Sequence, residues 1–333
     1  MTEEMAEKLP PAGVRASGPT RWWTFPWIAS GVLFLLLLFV GPLSRMMDGF
    51  WVVSDEAVAA LLPADLFRGQ VSVLFPGNPY QGVAELPAYA VLWELFGANT
   101  TPTRIFHQAM WLAAVFLWTI VALQSMERGG VRLTHRAKGW ALFAVVGLLG
   151  VTAPIGWPMW FRIFPGYHLG ALLAALAALV ALRSATWRGW AVAGLLAGLA
   201  IYAQPMHVVG AVIVGVLALM SAKPERMRAV IAAGAGALVG VTPLLLWNAR
   251  NGFEIFTGDL TPSEHPEWGY FDRLANTVSI SARVLLGDPD GRATAPNVLL
   301  VGQALAAAVL VGLLVVGSVR LVRSWRTSAP LLA

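Results

Sequence analysis

The sequence predicts an all-α polytopic membrane protein of about eight transmembrane helices, with a folded first external loop bearing two interfacial helices. Three observations predict it. Of 333 residues, 57% are hydrophobic and only 12% charged, with a mean hydropathy of +0.67, more apolar surface than a water-soluble fold of this length buries. Apolar stretches close to the roughly 20 residues that a helix needs to cross the hydrocarbon core recur along the chain. Lys and Arg concentrate on alternate connections between those stretches.

Residues 1–23 are polar, mixed in charge, and form a cytoplasmic N-terminal tail. The first span, 24–43, is followed by no small-residue cleavage site, so it reads as a retained anchor. The membrane domain covers 24–320, with further spans at 105–125, 138–156, 168–184, 187–203, 205–221, 230–248 and 298–319. The fifth span and the sixth meet at Gln204 and Pro205. Residues 321–333 form a cytoplasmic C-terminal tail. With the N-terminus inside, fifteen of the 23 Lys and Arg lie inside and thirteen of the 18 carboxylates outside. The short connections 126–138 and 222–229 carry that assignment, because short loops obey the positive-inside rule best. The pI near 10 is therefore a topology signal, and no nucleic-acid partner is expected. The absence of cysteine excludes disulfides and thiolate metal sites.

Two connections are long and external, 44–104 and 249–297; loops of that length in a compact architecture are usually functional or disordered. The first holds two apolar stretches, Glu56–Phe67 and Leu86–Phe96, too short to span and suited to the membrane interface. Between them runs a turn-rich segment with Phe75, Pro76, Gly77, Asn78, Pro79 and Tyr80. The loop is expected to be a folded cap. Further on, Gly194/Gly198 and Gly236/Gly240 stand at the small-xxx-small spacing that lets membrane helices approach closely. No internal or inverted repeat is visible.

Candidate chemistry gathers on the external side. Asp55 and Glu56 open the first interfacial helix, and Glu85 stands just before the second. Acids at a helix start are favoured by the dipole, with Ser54 as a cap; equally, a carboxylate near apolar material acts as a general base or holds a divalent cation. All eight external cations are arginines, and guanidinium binds phosphate through paired hydrogen bonds. The best placed are Arg104, Arg162 beside Tyr167 and His168, and Arg250 beside Asn248; a headgroup contact is the alternative for each. Gln204 and His207 sit at the external junction of the fifth and sixth spans, as ligands or as satisfied polar groups. Trp22, Trp23, Trp27, Trp157, Trp160, Trp187 and Trp190 fall near membrane boundaries, where Trp anchors; Trp157 or Trp160 could also stack on a sugar. No phosphate-cradling loop, nucleotide fingerprint or zinc spacing occurs, which argues against a cytoplasmic nucleotide-sugar enzyme.

An Asp-Glu pair after the first span, Glu85 and Pro87 before a helix ending in Leu95, Phe96 and Gly97, and Arg104 entering the next span resemble the GT-C superfamily of membrane glycosyltransferases. The pattern is most similar to the protein O-mannosyltransferase and lipid A aminoarabinose transferase families (glycosyltransferase family 39-like). The match covers residues 25–125 well; beyond, it rests on Gly166 and Tyr167 and on the run from Pro243 to Asn248. The resemblance implies that Asp55 is the essential carboxylate of the first external loop and that Glu85 lies in the same cavity. It implies an inverting transferase that moves a sugar from a polyprenyl-phosphate donor to a glycan, lipid or protein acceptor at the outer face of a bacterial plasma membrane. Arg162 and Arg250 would hold the phosphate, while Glu56 and Glu85 position the acceptor or a cation. No cofactor is assigned; a divalent metal, if used, would bind Asp55 and Glu85. Leu86 stands where aminoarabinose transferases carry Lys, so their donor and acceptor are not carried over. Relatives in those families commonly extend through further C-terminal helices, so the resemblance implies that a chain ending at Ala333 is a short or an incomplete member. The alternatives are a transporter or flippase of a lipid-linked or anionic solute, and a non-catalytic GT-C-like subunit.

Overall fold

The structure, a computed structural model, describes residues 25–47, 54–76, 80–97, 99–156, 165–221 and 223–253, with single positions between 312 and 323; the side chains of 37–55, 147–156 and 223–224 are outside that set. Most of the expected span 298–319 and of the loop 249–297 also lies outside it, as do Trp22, Trp23, Trp157, Trp160 and Arg162.

Among the described residues the chain is all-helical, apart from an isolated bridge between Leu74 and Gly82. The helices are α1 (Phe25–Met47), α2 (Ser54–Phe67), α3 (Leu86–Phe96), α4 (Thr100–Arg128), α5 (His135–Gly156), α6 (Tyr167–Arg183), α7 (Trp187–Ala203), α8 (Val208–Leu219) and α9 (Lys223–Arg250). Two of them, α4 and residues Glu225–Arg250 of α9, are long and apolar enough to cross a membrane.

Local chemistry sets the ends. Asn99, extended, accepts from the Thr101 N–H at 2.9 Å and starts α4, and Thr186 caps α7 in the same way through the Gly189 N–H; each side chain satisfies an otherwise orphaned donor. Cap-driven starts explain why α4 begins five residues before the apolar stretch at 105. Helix α7 spans the expected 187–203, and Pro205 beyond it opens a 3-10 turn, Pro205–His207, so α8 starts at Val208 rather than 205.

The packing runs in a chain. Helix α1 lies against α5 and α4, α4 against α6, α6 against α7, and α7 against α9, its most extensive partner. The core of the second half is alanine: Ala177, Ala181, Ala193, Ala197, Ala229 and Ala233 are buried together. Here α7 and α9 meet backbone to backbone. A Cβ at Gly194 would strike the Ala233 carbonyl, one at Gly198 the Ala237 carbonyl, and one at Gly236 the Ala191 carbonyl. Outward, α8 and α9 present Val209, Val212, Ile231, Leu238, Val239 and Leu246, each more than half exposed.

Residues 54–97 form a unit of their own. Ala59, Leu62, Phe75, Val83, Leu86 and Tyr89 share a small core closed by Phe106 of α4. A second contact sets Leu74 against Tyr202 of α7 and Leu244 of α9. The loop is thereby seated on the ends of α4, α6, α7 and α9.

Candidate functional site

Two buried carboxylates tie the loop to the bundle. Glu56, in the first turn of α2, accepts from Arg104 of α4 at both oxygens, Nε to Oε1 at 3.0 Å and Nη2 to Oε2 at 2.7 Å. Neither side chain reaches solvent appreciably, at 0% and 9% exposure. Such a bidentate pair is the geometry guanidinium favours. Its net worth is small because both charges lose water, yet removing one partner leaves a buried, uncompensated charge.

Glu85 makes the second tie. Its two oxygens lie 2.7 and 2.9 Å from the Gly166 N–H, the donor just ahead of α6. Beside it Gln81 Nε2 donates to the Pro165 carbonyl. Gly166 is obligatory there: its φ of +82° is a left-handed conformation, and a Cβ would collide with the Ala203 carbonyl at the end of α7. Burial raises the Glu85 pKa from 4.5 to about 8, and the Gly166 N–H offsets part of the rise. At neutral pH this carboxyl is therefore largely protonated. Its hydrogen bonds from the Gly166 N–H anchor the loop to the start of α6.

A third tie is made by backbone. The Gly82 N–H donates to the Tyr202 carbonyl at 2.9 Å, and the Tyr202 hydroxyl donates to the Val73 carbonyl at 2.6 Å. A Cβ at Gly82 would overlap both the carbonyl and the ring of Tyr202.

Under the loop lies a polar chain that the sequence reading did not single out. The Tyr89 hydroxyl is 2.6 Å from His107 Nε2, and His107 Nδ1 is 3.1 Å from His168 Nδ1. The three side chains come from α3, α4 and α6, and all are buried. Tyr89 stacks on His107 at 5.7 Å between ring centres, and Trp111 flanks His168 at 5.9 Å. Burial, with the nearby Glu85 charge, holds the Tyr89 hydroxyl well above its ordinary pKa, so it stays protonated. Tyr89 also borders a small cleft with Ala59, Pro63, Trp93, Asn99 and Thr103. Next to His107, the amide of Gln108 is fully buried, and neither of its polar atoms has a hydrogen-bond partner among the described residues.

Of the residues proposed from sequence, the structure unites Glu56 with Arg104, sets Glu85 on Gly166, and buries His168 against His107. Arg104 is thus engaged by Glu56, although the sequence suggested a phosphate ligand. Asp55 lies in the first turn of α2, adjacent to Glu56, and its side chain is outside the described set. Tyr167 is partly exposed at the start of α6, and its carbonyl is 3.0 Å from His207 Nε2. Asn248 is buried and donates to the Leu244 carbonyl at 2.9 Å; Arg250 is exposed at the end of α9. Among the described residues, no three His, Asp or Glu side chains converge as a metal site.

Comparison with family models, with curated proteins and with solved structures yields no match.

Proposed function

We propose that this chain is a multi-pass membrane transferase of the GT-C type, moving a sugar from a polyprenyl-phosphate donor to an acceptor hydroxyl at the outer face of a bacterial plasma membrane. The distribution of Lys and Arg supports eight spans with both termini cytoplasmic, and the exposed apolar faces of α8 and α9 suit contact with lipid. The observation that carries the reading is the seating of the first loop. Two buried carboxylates are committed to holding residues 54–97 against the helix ends, and the acid that the family resemblance makes essential, Asp55, directly follows the start of the helix so held.

In this mechanism Asp55 orients the acceptor hydroxyl and draws on its proton. The acceptor oxygen attacks the anomeric carbon, the carbon–oxygen bond to phosphate breaks with inversion, and the electron pair leaves on the lipid phosphate. Arg162 and Arg250 are the cations assigned to that phosphate, together with the region of Tyr167, His168 and Asn248. Glu56, Arg104 and Glu85 hold the platform instead of contacting substrate. A divalent cation, if required, would have Asp55 as its principal ligand, because Glu85 is occupied by Gly166.

One observation favours a second reading. Ionisable side chains buried within membrane helices commonly mark solute or proton pathways, and His107 and His168 are such a pair, so a proton-coupled transporter is the rival. Transfer of labelled sugar from polyprenyl-phosphate donors, measured in membranes containing wild type or Asp55→Asn at matched expression, tests the proposal. Loss of at least a hundredfold in Asp55→Asn is expected. Equal transfer by both proteins would defeat the mechanism, and silence of the wild type with every donor would turn attention to transport.

A further inference from the structure

At the end of the bundle opposite the cap, helix α6 lies against both α4 and α8. An apolar strip crosses these three helices. Leu179 and Leu182 of α6 are its buried middle, with Leu117 and Trp118 of α4 on one flank and Ile213 and Leu217 of α8 on the other. The four flanking side chains are only partly buried, so the strip keeps an open outer surface.

The strip ends at two arginines. Arg128 closes α4 and Arg183 closes α6. Arg183 Nε donates to Gln124 Oε1 at 3.3 Å, and Gln124 stands one helical turn before Arg128 on the same face of α4. That bond holds Arg183 beside Arg128, near enough for the two guanidinium groups to repel. The described carboxylates at this end do not relieve them: Glu127 is paired with Lys138 and Glu225 with Arg228. Arg128 and the two amino groups of Arg183 make no hydrogen bond or ion pair among the described residues. A cation at a helix carboxyl end complements the dipole, which accounts for each arginine singly. It does not account for two held side by side without a counter-charge.

Their depth is marked by the next helix. Trp187, which starts α7 four residues after Arg183, is 57% exposed and carries Arg188 over its ring at 5.5 Å. Exposed Trp at a helix end belongs to the headgroup layer of a membrane.

We propose that Arg128 and Arg183 bind the phosphate of an anionic phospholipid, one of whose acyl chains lies along the apolar strip over α6. Guanidinium groups take phosphate oxygens through parallel N–H donors, and basic pockets between membrane helices are suited to anionic headgroups. The phosphate supplies the missing counter-charge and clamps the ends of α4 and α6 together. A free phosphate ion would answer the two charges and leave the strip uncovered, whereas a lipid answers both. The site requires the chain to lie in a membrane and is independent of sugar transfer; the leaflet is cytoplasmic under the topology proposed above.

Native mass spectrometry of the full-length protein, released from detergent micelles after titration with dioleoylphosphatidylglycerol, tests the site without regard to orientation or to any sugar. The wild type is expected to bind this lipid about tenfold or more tightly than dioleoylphosphatidylcholine, whose headgroup has no net charge. The double variant Arg128→Gln with Arg183→Gln should lose the preference. Arg132→Gln with Arg136→Gln removes the same two charges from the adjoining exposed connection and should bind within about twofold of wild type. Inorganic phosphate and glycerophosphoglycerol, the same headgroup without chains, should not displace the lipid. A wild type without preference would overturn the site, as would a preference that survives the loss of Arg128 and Arg183. Equal losses in the two double variants would reduce it to diffuse surface charge, and displacement by inorganic phosphate would make the occupant a free anion; either result defeats the lipid.

Discussion

Where residues 54–97 meet the ends of α4, α6 and α7, the contact is made by buried carboxylates, a guanidinium and backbone hydrogen bonds. Where α7 meets α9, it is made by glycine and alanine pressed against bare carbonyls. The first joint depends on chemical identity and forgives little change of charge. The second depends on volume and is indifferent to charge and pH. A molecule that pairs a shape-built bundle with a charge-built cap can keep its scaffold unchanged while the cap responds to conditions.

The largest effect that separates the two joints is expected from Glu56→Ala, which strands Arg104 as a buried cation and costs about 3–5 kcal/mol. Unfolding of the purified protein in detergent measures it. The double variant Glu56→Leu with Arg104→Met, which removes both charges and retains volume, is expected to recover most of the loss. A double variant as unstable as the single one would show that the joint needs the ion pair itself.

The pH dependence of the cap comes next. The folded pKa of Glu85 is raised, so its contribution is complete below the ordinary value of 4.5 and is lost as the pH rises through about 8. Protease protection of residues 54–97 should weaken across that window, by a few kcal/mol at about 1.4 kcal/mol per pKa unit. In Glu85→Gln, which mimics the protonated acid, the dependence should flatten. An equally steep profile in that variant would place the titrating group elsewhere.

The smallest effect belongs to the shape-built joint. Gly194→Val forces a branched side chain against the Ala233 carbonyl and should cost about 1–3 kcal/mol, equally at pH 5 and pH 8. A pH-dependent loss would contradict the division between the two regions.

The same division decides what the sequence could reveal. The glycines of α7 and α9 announce themselves by their four-residue spacing, because a helix face repeats locally. Helices α2 and α3 are legible as apolar runs too short to span, and the helical class follows from composition. The ties of the cap leave no such trace: Glu56 finds Arg104 across 48 residues and Glu85 finds Gly166 across 81, distances over which no periodicity carries information. His107 reads in sequence as a lone imidazole on an apolar helix. Only the approach of α3 and α6 turns it into the middle of a chain. Gly166 is the one partial signal, a glycine opening a helix, and its left-handed φ explains its presence.

The cap's partners also impose an order in time. The Glu56 partner follows it by 48 residues, that of Glu85 by 81, and Val73 waits 129 residues for Tyr202. At about 5–20 residues per second of synthesis, Tyr202 is added roughly 6 to 26 seconds after Val73. Through that interval the loop is a nascent segment with half its anchors unmade, exposed to proteases and to other unpaired chains. Closure of the cap is therefore gated by the emergence of α6 and α7, and a chain that ends before Tyr202 would lack α8 and α9 together with the third tie.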